Sequence, residues 1–130
     1  KAALPACLCF YQFYVDTKNN KLNLQIYIRS SDYFLANNWN ACTGALLVNM
    51  ICNLKSINLT PGKLSVITGD THIYKNHQSQ VEENLKRTSK PFPKLIFING
   101  EKDNLEDYSY NDIKLIGYYP DKNISAPMAV

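Results

Sequence analysis

The chain has 130 residues, 45% of them hydrophobic and 12% aromatic. That composition excludes a disordered tail and fits one globular domain or one half of a larger one. The formal charge is only +3, and lysine and arginine are scattered without a basic run, which argues against nucleic acid as the main partner and suits a small phosphorylated substrate.

Leu8 to Val15 is aromatic and apolar, the mark of a buried or interface strand. Asp16-Thr17-Lys18-Asn19-Asn20 has turn chemistry. Leu22, Leu24, Ile26 and Ile28 then alternate with Lys21, Asn23, Gln25 and Tyr27, a period-two strand that completes a hairpin. Ala41 to Cys52 is almost continuously apolar, with Trp39, Cys42, Leu46 and Met50 at helical spacing. This predicts a central buried helix, too short for a membrane span, with Cys42 and Cys52 as small core residues. Pro61-Gly62 marks a turn before a strand over Leu64 to Ile67. Asn76 to Arg87 reads as a surface helix with Val81 and Leu85 inward, stopped by Pro91-Phe92-Pro93. Strands follow at Leu95 to Ile98 and Ile113 to Ile116, and Tyr118 to Val130 is an irregular tail. No repeat or linker interrupts this α+β pattern.

The four cysteines, Cys7, Cys9, Cys42 and Cys52, form no C-x-x-C pair and lie near no matching histidine spacing. No metal site is expected, and reduced thiols in an intracellular compartment are the simplest account. Cytoplasm is the expected location, with nucleus and organelle left open. Asn58-Leu59-Thr60 and Asn123-Ile124-Ser125 fit the glycosylation pattern only formally. The start at Lys1, already close to a strand, reads as a fragment boundary.

Chemistry-bearing groups gather in four places. Cys7 opens the first strand, and a free thiol is only a few per cent thiolate at neutral pH unless a cation sits nearby. Arg29, at the far end of the partner strand, is the candidate cation; without one, Cys7 is an inert half-buried thiol. Arg29-Ser30-Ser31-Asp32 offers either a bidentate phosphate clamp with a hydroxyl donor or a surface arginine followed by a helix cap. Asn40 precedes the apolar helix as an N-cap or as a donor–acceptor pair able to read the edge of a base. Gly69-Asp70-Thr71-His72-Ile73-Tyr74-Lys75-Asn76-His77 crowds polar groups at the end of a strand, where packing alone does not require them. In extended chain, His72 and Tyr74 share a face and present an imidazole and a phenol to one small ligand. His77 is read as part of the next helix start, and Gln12 and Asp70 as structural.

In order and spacing, Cys7, Gln12-Phe13-Tyr14-Val15, Arg29-Ser30-Ser31-Asp32, Asn40, the Gly69 to His77 string and the terminal Met128-Ala129-Val130 resemble the C-terminal half of thymidylate synthases, from Leu4 to Val130. The resemblance implies a mixed sheet with a buried central helix and flanking helices, dimerising through the sheet. It implies reductive methylation of dUMP to dTMP with 5,10-methylenetetrahydrofolate, with Cys7 as the nucleophile at carbon 6 of the uracil ring. Arg29, Ser30 and Ser31 would bind the phosphate, and Asp32 the substrate side and the folate pterin. Asn40 would read uracil, and His72 and Tyr74 the 3′-hydroxyl. Ala129 and the Val130 carboxylate would close the site over folate. A homodimer or a complementing chain would supply the N-terminal half of the domain, with a further phosphate-binding arginine and a catalytic glutamate; residues 1–130 would be its C-terminal part.

Several positions depart from the family pattern. Leu8 stands where a histidine follows the nucleophile, Ile28 replaces a glutamine, and Ala6 replaces a proline. Leu35-Ala36-Asn37-Asn38-Trp39-Asn40 replaces a Leu-Gly-x-Pro-Phe-Asn stretch, and Gly44 sits where tyrosine is common. These changes keep two rivals open: a related nucleotide hydroxymethylase, and a structural or regulatory partner that has lost turnover.

Overall fold

The computed structural model of the chain describes residues 5–128. Strands β1 (Leu8–Asp16) and β2 (Lys21–Asp32) form the expected hairpin, antiparallel from Asp16↔Lys21 to Leu8↔Ile28 with a bulge between Leu8 and Phe10. Strand β3 (Thr60–His72) pairs in parallel with β2, from Lys21↔Thr60 to Asp32↔His72. A parallel pair needs a crossover, and helix α1 (Asn37–Cys52) provides it. The sheet order is β1-β2-β3, so β2 is central.

The period-two pattern of β2 is the core. Leu22, Leu24, Ile26 and Ile28 are all buried and meet Val48 of α1, with Leu8, Ile51, Leu64 and Val66 packed around them. Each such side chain contributes on the order of 1.5–3 kcal/mol when fully removed from water. Gly44 lies at the tightest point, where a Cβ would come within 3.2 Å of Leu64 Cδ1 and 3.5 Å of Leu24 Cδ2. Its missing side chain lets α1 settle onto the sheet, which gives the departure at position 44 a packing reason.

The helix is less buried than its apolar run implies. Among its residues only Gly44 and Val48 are buried. Trp39 is 67% exposed and Cys42 is exposed rather than in the core, whereas Cys52 is half-buried and packs against the core. One stripe of α1 meets the sheet, and the rest of its apolar surface faces away. Pro61-Gly62 does not turn the chain but sits inside β3, beside the register shift between Leu22 and Leu24.

After β3 a 3-10 turn (Lys75–His77) leads into helix α2 (Gln78–Leu85), shorter than the expected span. Val81 is half-buried, but Leu85 is 78% exposed rather than inward, because α2 ends at the surface without a partner over its last turn. Strands β4 (Lys94–Phe97) and β5 (Ile113–Ile116) form a separate antiparallel pair rather than extending the main sheet. This pair is fastened to the end of α1. Tyr108 Oη lies 3.3 Å from the Met50 carbonyl and 3.1 Å from the Asn53 carbonyl, and Asn53 Nδ2 donates to it at 2.9 Å. Buried Asp112 accepts from the Ser109 amide and hydroxyl, Asn99 Nδ2 and Lys102 Nζ. Those bonds, the Ser109 amide foremost, hold its carboxyl far below the usual carboxylate range. The tail from Tyr118 to Met128 is irregular, as expected.

Candidate active site

Sheet register brings together the segments that sequence spacing only listed. The parallel pairing sets Ser30 beside Asp70, Ser31 beside Thr71 and Asp32 beside His72. On the other side of β2, the Arg29 amide donates to the Cys7 carbonyl at 2.8 Å. Cys7, just before β1, the arginine–serine segment of β2 and the histidine segment of β3 therefore lie on adjacent stretches of backbone. Asn40 falls in the first turns of α1, close after the end of β2.

Arg29 grips the chain leading to Cys7. Its Nε donates to the Ala6 carbonyl at 3.0 Å and its Nη2 to the Pro5 carbonyl at 2.7 Å. A guanidinium has five N–H donors, so most of the fork is left for an anion. Cys7 is exposed and reduced. Cys9 Sγ turns back toward the Cys7 carbonyl at 3.2 Å.

Asp32 holds the turn out of β2. Its Oδ1 accepts from the Phe34 amide at 3.1 Å and the Leu35 amide at 3.0 Å. Both bonds use one oxygen, so Oδ2 remains to accept an N–H from a ligand, which is the feature a pterin-binding carboxylate needs. Ser30 is half-buried, whereas Ser31 is buried and its hydroxyl meets Asn37 Oδ1 at 3.4 Å. Ser31 is thus buried against the start of α1, with its hydroxyl already engaged.

Asn40 is not the helix cap, because that position belongs to Ala36, which makes no side-chain cap bond. Among the described residues nothing hydrogen-bonds the side-chain amide of Asn40, so the base-reading role keeps its donor and acceptor. His72 Nδ1 lies 3.2 Å from Asp70 Oδ2, and its ring meets Tyr74 edge-on with centroids 5.0 Å apart. Asp70 thereby orients the imidazole. Ala129 and Val130 lie outside the described residues.

Two functional positions carried no assigned role in the sequence. Gly69 is one: a Cβ there would sit 2.7 Å from the Arg29 carbonyl and 2.9 Å from Tyr27 Oη. Only glycine lets β3 approach β2 where Arg29 must reach Cys7. The signal was the glycine at the head of the polar string. His77 is the other: it stands at the start of α2 as expected, and there it is also fully buried. Among the described residues no cluster of histidine, cysteine or acidic side chains could hold a metal, and no helix is long and apolar enough to cross a membrane.

Comparison with known proteins matches this layout to one family. The sequence profile described as Thymidylate synthase matches residues 1–130. The chain is 43% identical over 130 residues to a thymidylate synthase of Mycoplasma mobile, covering all of the chain and 43% of that protein. It is 39% identical over 130 residues to a thymidylate synthase of Pseudomonas fluorescens, covering 45% of that protein. A bifunctional dihydrofolate reductase-thymidylate synthase of Zea mays is also 39% identical over the whole chain, which spans 24% of it. The chain therefore spans less than half the length of these curated relatives. The match of the family profile to every residue, with Cys7, Arg29 and the His72 segment on adjacent stretches of backbone, establishes that the chain belongs to the thymidylate synthase family.

Proposed function

We propose that the protein of which this chain is a part methylates dUMP reductively to dTMP, and that residues 1–130 are the C-terminal part of its catalytic domain. The observation that carries this reading is the convergence of Cys7, Arg29, Ser30, Asp32 and His72 through the β1–β2–β3 register. Arg29 serves two purposes, since two donors fix the Pro5 and Ala6 carbonyls before the thiol and the remaining N–H groups face the substrate phosphate. Ser30 adds a hydroxyl donor to the same anion. Asn40 presents an amide to the O4 and N3–H edge of uracil, a donor–acceptor order that cytosine reverses. His72, steered by Asp70, and Tyr74 bind the 3′-hydroxyl. The ring is then held over Cys7, whose sulfur adds to C6 and makes C5 nucleophilic.

Methylenetetrahydrofolate, as co-substrate, supplies the one-carbon unit and the hydride. Asp32 Oδ2 supports its pterin, and Ala129 and Val130 close the site over it and exclude water. A second phosphate-binding arginine and a proton-relaying glutamate come from the rest of the domain or from a partner chain. The exposed aromatic residues Phe10, Tyr14 and Tyr27 share the face of the β1–β2 hairpin that points away from α1, which suits a homodimer through the sheet. Leu8 and Ile28, which stand where the family has histidine and glutamine, pack in the core instead, and their loss of polar character favours a slower enzyme as the second reading.

Product analysis tests the reaction. Full-length protein given dUMP and methylenetetrahydrofolate is expected to yield dTMP and dihydrofolate in equal amounts. Hydroxymethyl-dUMP with tetrahydrofolate would identify the hydroxymethylase instead, and no product from folded protein would support the non-enzymatic partner.

A further inference from the structure

We propose that His77 is the positioning residue that ties the C-terminal tail to the nucleotide-binding segment, an inference that rests on the function proposed above. Its ring is 0% exposed, and Nε2 lies 2.6 Å from the Pro127 carbonyl. A carbonyl oxygen only accepts, so Nε2 carries the proton and donates. Nδ1 is buried with no hydrogen-bond partner among the described residues. Buried polar atoms are nearly always satisfied, so a histidine kept here with one nitrogen orphaned needs a reason beyond filling space. Phenylalanine would fill the site without that penalty.

The neighbours supply the reason. The His77 ring stands edge-on to Tyr74 with centroids 5.7 Å apart, and Tyr74 stands edge-on to His72 at 5.0 Å. Phe34, in the turn organised by Asp32, meets His77 from another side at 5.7 Å. A continuous set of ring contacts thus runs from His72 and Tyr74 through His77 to Pro127 in the tail. Elsewhere α2 and its flank hold the tail by exposed contacts: Gln80 to the Ser125 carbonyl, Arg87 to the Lys122 carbonyl, and Lys90 to Asp121. Such exposed contacts exchange readily with water, whereas the His77 bond is shielded. Nucleotide seated on His72 and Tyr74 fixes Tyr74, which fixes His77, which holds the tail where folate is to be covered.

The test compares wild type, His77→Phe and His77→Gln in the full-length protein. Amide exchange of the tail is measured with and without dUMP, alongside KM for each substrate. His77→Phe is expected to raise tail exchange and the folate KM by about tenfold, the scale of one shielded hydrogen bond, with the dUMP KM within about twofold. His77→Gln, whose amide can still donate toward Pro127, is expected to keep tail protection within about threefold of wild type. Combining His77→Phe with truncation after Ala126 is expected to raise the folate KM no further than truncation alone, because the truncation already removes the Pro127 carbonyl that His77 holds. His77→Asn, whose shorter amide falls short of the carbonyl, takes the place of His77→Phe if that variant does not fold. Unchanged tail exchange in a folded variant, or additive effects with the truncation, would overturn the proposal. Tail exchange needs no substrate, so a wild type that binds no dUMP counts against the proposed function while the tether is still decided.

Discussion

Arg29 and Gly69 depend on each other although neither chemistry nor spacing links them in the sequence. The Arg29 side chain fixes the approach to Cys7, while its carbonyl lies where any Cβ at position 69 would fall. Gly69→Ala is therefore expected to destabilise the fold by about 1–3 kcal/mol, because the obstructing atom is backbone and cannot swing away. Thermal unfolding of the variant checks this, and a change below about 0.5 kcal/mol would mean that β3 can shift outward. At this scale the sequence was most legible where several rare residues stood together. The Gly69 to His77 string, Arg29-Ser30 and Cys7 all fall on adjacent stretches of backbone. Ser31 faces inward, and Asn40 lies inside the helix rather than at its cap. The roles of Gly69 and His77 stayed hidden because each is set by an atom distant in sequence, the Arg29 carbonyl and the Pro127 carbonyl.

Among the elements, the β1–β2 hairpin was readable because period-two alternation and turn chemistry agree over its whole length. The apolar run of α1 predicted a helix but not its exposure, since one face of a helix can be covered while the others stay open. Leu85 misled for the same reason: helical spacing names an apolar side and cannot say whether anything packs there. The β4–β5 pair was read as two strands, but its anchoring through Asp112 was not, because that network joins polar residues scattered along the irregular connection between the two strands. Asp112 gives this element a pH signature. Its folded carboxyl titrates far below the unfolded value of about 3.9, so its stabilisation is fully present above that value and is lost as pH falls below it. Asp112→Asn is expected to lower the melting temperature by a constant amount between about pH 5 and pH 7, with the gap to wild type shrinking below about pH 4. Melting curves across that range check the sign, and a gap that widened in acid would contradict it.

At the scale of the whole molecule, the small buried core and the aromatic face of the hairpin point to a chain completed by contact with more protein. Phe10 is 53% and Tyr14 67% exposed on the hairpin face away from α1, on a strand that lies at the edge of the sheet among the described residues. Tyr14→Asp is expected to shift full-length protein from dimer to monomer at micromolar concentration, as read by sedimentation, whereas an unchanged dimer would place the interface elsewhere. The account as a whole stands on Cys7 acting as the nucleophile beside Arg29. Its most direct measurement is the intact mass of full-length protein incubated with 5-fluoro-dUMP and methylenetetrahydrofolate. The account predicts a covalent ternary adduct that maps to Cys7 and is absent from Cys7→Ser. Folded wild type with Cys7 reduced and no added mass would contradict it.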